Sequence, residues 1–195
     1  HDLSKLDALD IPYDTEDTTS FGDYRIKIRR DDMAESPRDW DNQGTMVCFH
    51  SRYNLGDKHS YSDPQSFAHE LSGLYDDADY LTDEMVQKCW DEIHKKNIIL
   101  PLFLYDHSGI TMNTTGFACG WDSGLVGYIY MSLEDVRKEH SVKRVSKKLR
   151  KRIETYLTGE VETYDQYLTG DVYGFIVERE DDDGEEVDVD SCWGF

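Results

Sequence analysis

The sequence lacks the features that mark membrane-spanning and disulfide-bonded proteins. No apolar run approaches the roughly 20 residues of a membrane-spanning helix, and no internal repeat is present. Four cysteines, Cys48, Cys89, Cys119 and Cys192, are scattered along the chain without a C-x-x-C pair. We therefore expect free thiols in a reducing cytoplasm, no disulfide framework and no membrane partner.

Complete catalytic and metal-binding motifs are also missing. His69 and Glu70 begin like the zinc motif H-E-x-x-H, but Gly73 stands where the second histidine ligand is needed. Asp122-Ser123-Gly124 resembles the nucleophile region of trypsin-like proteases over three residues only. Trp121 replaces the glycine that would free the backbone N–H groups there, and the serine comes one place too late for G-x-S-x-G. We therefore assign no catalytic serine, no metal site and no cofactor.

Basic residues are scarce relative to acidic ones. The 195 residues contain 21 Lys and Arg against 41 Asp and Glu, which gives a net charge of -20. Aromatic residues make up 12% of the chain, which is too many for a disordered acidic protein. We therefore expect a folded domain, and because its net charge repels nucleic acid at long range we expect no direct nucleic-acid partner.

The charge is unevenly distributed along the chain. Residues 1–21 form an acidic segment that we interpret as a loosely attached arm, and residues 22–195 as one domain. From Ile153 onward only Arg179 opposes many carboxylates. A basic block lies before this acidic part, and we interpret it as a solvated helix face paired with the protein's own acids; contact with phosphates is the alternative. The basic block comprises Arg137, Lys138, Lys143, Arg144, Lys147, Lys148, Arg150, Lys151 and Arg152.

The stretch from Ile98 to Met131 is the element around which the chain is organised. Two apolar runs that are typical of buried strands open and close it. The polar connection between them is rich in Gly, Ser, Thr, Asn and Asp, and it contains His107, Cys119 and Trp121. Because binding sites are often loops held by rigid strands, this connection is the first candidate site.

Hydrophobic periodicity and capping residues predict the remaining elements. Asp63, Thr82 and Ser132 are expected helix N-caps, and Gly170 is expected to end a long helix over about 145–168. Strands are expected at 24–29, 45–50, 98–105, 125–131, 172–178 and 187–193. Strand pairs separated by helix pairs indicate a single α+β domain with a mainly antiparallel sheet that helices cover on one side. The expected core comprises Ile99, Leu102, Leu104, Val126, Ile129, Leu149, Ile153, Leu157, Phe175 and Val177.

Several short motifs resemble a known family. They are Tyr105-Asp106-His107-Ser108-Gly109, Trp121-Asp122-Ser123-Gly124 with Val126-Gly127, Glu160-Val161 with Tyr164-Asp165, Val172-Tyr173-Gly174, and the tail Asp190-Ser191-Cys192-Trp193-Gly194-Phe195. Together with the loop at 53–57, they resemble signatures of an uncharacterised protein family of phages and mobile elements. The resemblance implies a small accessory protein in the cytoplasm of an infected bacterium. It implies no reaction, cofactor or catalytic residue.

Acidity and this resemblance together predict a DNA-mimic inhibitor. Spaced carboxylates can occupy the basic groove of a host nuclease or defence protein, as anti-restriction and anti-CRISPR mimics do. The partner is expected to be that protein, not nucleic acid. The candidate binding residues are Asp106 and Trp121 in the central connection, together with the acidic turn Asp181, Asp182, Asp183, Glu185 and Glu186.

A small enzyme is the alternative function. A thiol beside an imidazole can act as a nucleophile if the fold brings the two together. The residues for this role are His107, Cys192 and Asp122, with Cys119 as a second candidate thiol. In an antiparallel sheet the last strand can lie beside a central one, so we expect the tail to contact the central connection. We also expect Trp193 to dock into the core.

Overall fold

The computed structural model describes residues 17–76, 78, 80–181 and 184–195, and within them the predicted α+β class is confirmed. Every pair of strands there is antiparallel. The elements in chain order are β1 (Asp17–Phe21), β2 (Tyr24–Arg30), a short 3-10 helix (Pro37–Asp39), β3 (Thr45–Cys48), α1 (Pro64–Ser72), α2 (Asp83–Lys96), β4 (Asn97–Asp106), β5 (Ile110–Asn113), β6 (Ser123–Ser132), α3 (Leu133–Glu139), α4 (Lys147–Thr169), β7 (Tyr173–Glu180) and β8 (Glu186–Trp193).

The strands divide between two sheets in two compact units. The first unit contains the described residues up to 35 and those from 170 onward, and its sheet has the order β1-β2-β7-β8. The second unit covers 36–169, and its sheet has the order β3-β6-β4-β5. Residues 1–16 of the predicted arm lie outside the described residues, whereas 17–21 form β1 and pair with β2.

The last strand does not lie where the sequence analysis placed it. We expected β8 beside a strand of the central element, but it pairs with β7 at the edge of the first unit's sheet. The β7–β8 connection is short, and Asp181 closes it through hydrogen bonds with Glu185 and Gly184. A tight hairpin of this kind favours pairing with the preceding strand because little chain entropy is lost on closing it.

Helices lie on both faces of the second unit's sheet, not on one face as expected. On one face, Ile153 and Leu157 of α4 pack with Leu102 and Ile129 of the central strands. On the other face, Cys89 and Ile93 of α2 form a separate buried cluster against which Ile99 packs. Successive residues of β4 therefore point to opposite faces, and both are covered. This explains why the strand is an almost continuous apolar run.

The predicted helix starts are confirmed. Asp63 accepts hydrogen bonds from the backbone N–H groups of α1, and these bonds lower the pKa of its carboxyl group. Thr82 and Ser132 cap α2 and α3 in the same way. Helix α4 runs without interruption through Gly159, and Gly170 beyond its end has a φ of 70°. Glycine adopts this left-handed conformation without steric penalty.

Six of the ten expected core residues are buried: Leu102, Leu104, Val126, Ile129, Ile153 and Leu157. Ile99 and Leu149 are half-buried at the borders of the second unit's core. Phe175 and Val177 are half-buried in β7 of the first unit. Among its described residues that unit contains no helix to cover the sheet, which accounts for their exposure within it.

A buried network of ion pairs joins distant segments of the second unit. Arg38, in the short 3-10 helix, donates from Nε and Nη2 to the two carboxylate oxygens of Asp57, both at 2.9 Å, and from Nη1 to Glu160 of α4 at 3.0 Å. Its side chain is 4% exposed. The carboxylates also accept backbone N–H groups from Gly44 and Met46. Burial lowers the pKa of Arg38, but hydrogen bonds and charges from both carboxylates outweigh it, and the pKa is raised.

Substitution of Leu104 tests the assignment of β4 as a core strand. Leu104 is 4% exposed, so Leu104→Ala should lower the free energy of unfolding by roughly 2–5 kcal/mol. Leu125, on the neighbouring strand, is 51% exposed, and Leu125→Ala should lower it by less than about 1 kcal/mol. Urea denaturation measures both values, and equal losses would contradict the packing.

Removal of Arg38 should be among the most destabilising single changes in the second unit. Arg38→Met leaves two partly buried carboxylates without their cation, which should cost about 3 kcal/mol. Arg38→Lys keeps the charge but loses the forked geometry, so it should recover only part of this loss. The control is Arg52→Met, because the Arg52 side chain is 67% exposed and its ion pair should contribute at most about 1 kcal/mol. Similar urea midpoints for the two Met variants would show that the network is not stabilising.

Candidate functional site

A cleft of about 330 Å³ opens where β4 ends and β6 begins. Three residues predicted from the central connection, Asp106, Trp121 and Asp122, line it. Arg52 from the β3–α1 connection and Leu125 from β6 also contribute to its wall. Three of the predicted residues of the central connection therefore line one concave surface, whereas His107 and Cys119 do not line it.

Asp106 holds the floor of the cleft in place. Its backbone N–H donates to the carbonyl of Asp122 at 2.8 Å, which ties the end of β4 to the start of β6. Its carboxylate forms an ion pair with Arg52, and the guanidinium carbon of Arg52 lies 5.5 Å from the centroid of the Tyr53 ring. The Asp106 charge is therefore already partly compensated within the protein.

Asp122 brings together His107 and Cys119. One carboxylate oxygen of Asp122 lies 3.7 Å from Nδ1 of His107 and 3.7 Å from the sulfur of Cys119. The His107 side chain is 64% exposed, so the contact is screened by solvent and is worth little as an ion pair. Activated thiols lie beside an imidazole or another cation, whereas the observed polar partner of the Cys119 thiol is a carboxylate.

Trp121 is the most exposed large apolar residue of the described chain, at 98%. The loop that carries it is not loose: the Ser123 hydroxyl donates to the carbonyl of Cys119, and the neighbouring backbone bond joins Asp106 to Asp122. Leu125 beside it is 51% exposed. Tryptophan is one of the residue types that are enriched at binding hot spots.

Cys192, the thiol of the alternative enzymatic hypothesis, lies in the first unit. It is exposed in β8, opposite Phe175 of β7. His107 and Asp122 lie in the second unit, so no one unit assembles this trio. Cys48, in the second unit, is buried, and burial followed by the charge of Asp57 raises the pKa of its thiol to about 12. Such a thiol is protonated and unreactive at neutral pH.

Trp193 does not dock into a core as expected. It is 44% exposed, and its ring packs flat against Gly174 of β7. A Cβ at Gly174 would lie 2.2 Å from that ring, so only glycine fits there.

The acidic turn is described only in part, because Asp182 and Asp183 lie outside the described residues. Asp181 and Glu185 close the turn through their backbone and the Asp181 carboxylate. Glu186 pairs with Arg25 and with Lys27 of β2 in the same sheet. The negative charge of Glu186 is thus partly neutralised by the protein itself.

Sequence analysis missed two contributors to the candidate sites. Arg52 was not singled out, and no motif marks it, because its partner Asp106 lies 54 positions away. Asp188 of β8 was also left out, and Asp190 was noted in the tail but not among the binding residues; the alternation of acidic residues in this strand was a usable signal. In the part of the chain that is described, no group of three or more His, Cys, Asp or Glu side chains is placed to hold a metal ion.

Substitution of Trp121 should leave the fold intact. Because its side chain is almost fully exposed, Trp121→Ala should change the free energy of unfolding by less than about 0.5 kcal/mol. Trp90 is half-buried and lies 4.7 Å from Tyr128 between ring centroids, so Trp90→Ala should cost roughly 3–5 kcal/mol. Thermal and urea denaturation of the two variants make the comparison. A large loss for Trp121→Ala would mean that the indole is a structural residue.

Comparison with known proteins adds no assignment to this site. No protein-family model matches the chain, and neither a curated protein nor a solved structure matches it. None of the described helices has both the length and the apolar composition that crossing a membrane requires. The resemblance to phage and mobile-element proteins therefore depends on the short motifs alone, and the function must be argued from the chemistry of the surface.

Proposed function

We propose that the protein is an inhibitor that binds a nucleic-acid enzyme of bacterial defence by occupying its basic groove. It acts in the host cytoplasm as a mimic of DNA, in the manner of anti-restriction and anti-CRISPR proteins. The observation that carries the proposal is the edge strand β8. All eight of its residues are exposed, and within the described part of the chain it has a neighbouring strand on one side only.

Carboxylates follow one another along this edge. Glu185 precedes the strand, and Glu186, Asp188 and Asp190 lie within it, so that about 3.4 Å of strand separates successive residues. Glu185, Asp188 and Asp190 make no ion pair with any described residue, which leaves their charges available to a partner. A row of unneutralised charge is what a groove lined with Lys and Arg would attract.

The same carboxylates have a structural value. An exposed edge strand with Val187 and Val189 could pair with another chain, and like charges along the edge discourage such pairing. Protection of the edge does not require three unpaired carboxylates in a protein that already carries a charge of -20. Their number favours a binding role over protection alone.

The cleft around Trp121 supplies a second kind of contact. An exposed indole can stack against an arginine of a basic partner. Asp106 and Asp122 lie at the same cleft, where they can accept hydrogen bonds from its guanidinium group. Trp121 and Asp106 are therefore proposed as binding residues together with Asp181, Asp182, Asp183, Glu185 and Glu186.

The enzymatic alternative has less support. The Cys119 thiol has a carboxylate as its polar partner, Cys192 lies in the other unit, and Cys48 is buried. No described thiol therefore has the observed imidazole contact that a cysteine nucleophile needs.

Affinity capture followed by an activity assay tests the proposed function. The full chain is used as bait in lysate of a bacterial host that has been treated with nuclease, so that captured proteins do not arrive through nucleic acid. Each captured enzyme is then assayed on its own nucleic-acid substrate with increasing amounts of the protein. Competitive inhibition with respect to the substrate is expected. Inhibition that excess substrate does not relieve would contradict mimicry.

Charge reversal at Glu185 and along β8 should weaken the inhibition. The variant Glu185→Lys/Asp188→Lys/Asp190→Lys should raise the inhibition constant at least tenfold, because it removes three exposed carboxylates and adds repulsion. The matched control is Asp41→Lys/Glu70→Lys/Glu162→Lys, which changes the net charge equally at exposed positions of the second unit. This control should raise the inhibition constant much less than the first variant does.

Salt provides an independent measure in the same assay. Exposed charge pairs are screened over about 10 Å at 0.1 M salt, so inhibition by the wild type should weaken steeply as salt increases. An equal rise of the inhibition constant in the two triple variants would show that β8 is not part of the interface. Inhibition that does not depend on salt would contradict electrostatic mimicry.

A further inference from the structure

The basic block forms an exposed surface in the second unit. Arg137 and Lys138 belong to the last turn of α3, Lys143 and Arg144 to the connection, and the other five residues to the first turns of α4. Eight of the nine side chains belong to exposed residues, and Arg150 is half-buried. No acidic residue occurs between Glu139 and Glu154.

The expectation that this block pairs with the protein's own acids is not confirmed among the described residues. None of its nine side chains makes an ion pair with a carboxylate of the described residues. Arg150 donates instead to the carbonyl of Asn97 at 3.4 Å, and Arg152 contacts the hydroxyl and ring of Tyr156. Among the residues that the structure describes, the positive charge of the block therefore has no carboxylate partner.

Local structure does not explain the block. The pairs Lys147–Lys151 and Lys148–Arg152 have helical i,i+4 spacing, at which like charges repel. Cations also lie at the end of α4 where the helix dipole favours anions. Ser146 already caps the start of the helix, since its hydroxyl accepts a hydrogen bond from the backbone N–H of Leu149 at 3.1 Å. These cations thus oppose helix stability, which is the pattern expected if their partner lies outside the protein.

We propose that the basic block binds the phosphate backbone of nucleic acid. Five lysines and four arginines converge from α3, the following connection and α4, and backbone recognition needs such a surface without sequence-specific contacts. A cavity of about 460 Å³ beside it is lined by Arg137, Lys95 and Lys96, but also by Glu134, and both lysines pair with Glu92. The exposed cations of the block, and not this cavity, are therefore the proposed contact with phosphates.

The overall charge of -20 does not prevent this contact. At 0.1 M salt, exposed charges more than about 10 Å away are largely screened, so a bound phosphate responds mainly to the local cations. Nucleic-acid binding revises the expectation of no direct nucleic-acid partner. It does not depend on inhibition of a defence enzyme, since the two roles use different groups of residues.

Nucleic acid fits this surface better than an anionic membrane. A helix that lies on a membrane inserts an apolar face beside its basic one. The apolar stripe of α4, which includes Ile153 and Leu157, is buried in the core of the second unit. None of the large exposed apolar residues lies between 137 and 152. The basic block therefore presents positive charge but no apolar group that would insert into a membrane.

The test is direct binding of the full chain to a fluorescent 20-base-pair DNA duplex, with an RNA duplex of the same length as a second probe. Anisotropy is measured at several salt concentrations from about 50 mM upward, where counterion release makes affinity depend on salt. Lys147→Glu/Lys151→Glu should weaken binding to the duplex at least tenfold. It should also reduce the slope of log affinity against log salt by about 2, because two phosphate contacts are lost.

The matched control is Lys58→Glu/Lys88→Glu, which makes the same change in net charge at exposed positions outside the block. It should weaken binding less than threefold. Unfolding cannot explain the expected loss, because glutamate at the start of α4 suits the helix dipole and should leave the melting temperature equal or higher. A lower melting temperature for that variant would contradict the placement of these lysines against the dipole.

Four results would overturn the proposal. One is the absence of duplex binding by the wild type at about 50 mM salt, and another is an equal loss of affinity in both double variants. Stronger binding to phosphatidylserine-containing vesicles than to either duplex would identify a membrane as the partner. Concentration-dependent self-association that Lys147→Glu/Lys151→Glu abolishes would identify a second copy of the chain. Because no enzyme is present, these outcomes are independent of the inhibition assays.

Discussion

The contact between Arg38 and the two carboxylates of Asp57 and Glu160 is the constraint on which the second unit depends most. It joins the short 3-10 helix, the connection after β3 and the middle of α4, which are far apart in sequence. The carboxylates in turn fix backbone N–H groups at the start of β3. A hydrophobic core specifies how deeply segments are buried, but a forked guanidinium also specifies their register, because its donors have fixed directions. Without Arg38, the carboxylates of Asp57 and Glu160 would lose their cation at a largely buried position.

Local patterns in the sequence predicted the local structure well. The caps at Asp63, Thr82 and Ser132 and the central strands were accessible because their signals lie within a few residues. The Arg38 network was not, since Arg38 and Glu160 are 122 positions apart and each alone looks like a surface residue. Strand β5 was missed because four residues between polar turns carry too little periodicity. Helix cover on both sheet faces was likewise hidden, because which helix meets which face is decided by tertiary packing.

The candidate surfaces show the same division between local and distant information. Asp106, Trp121 and Asp122 were expected together because one loop between two strands carries them. The tail was misplaced because its pairing depends on a tight hairpin with β7, not on its own composition. The basic block was visible in the sequence, but its lack of ion pairs with the described carboxylates was not, since ion pairing depends on the placement of distant residues. Burial and pairing, more than residue type, thus decide which charges remain available for recognition.

Helix α4 has a consequence that concerns orientation. Its 23 residues make a continuous rod of about 34 Å. Cations occupy its first turns, while Glu154, Glu160, Glu162 and Asp165 follow toward its other end. The side-chain charges and the peptide dipoles therefore both place their positive end at the start of the helix, and their electric moments add. A strongly anionic macromolecule approaching this unit would exert a torque on it before contact, so that encounters begin with the amino-terminal end of the rod turned toward the approaching charge.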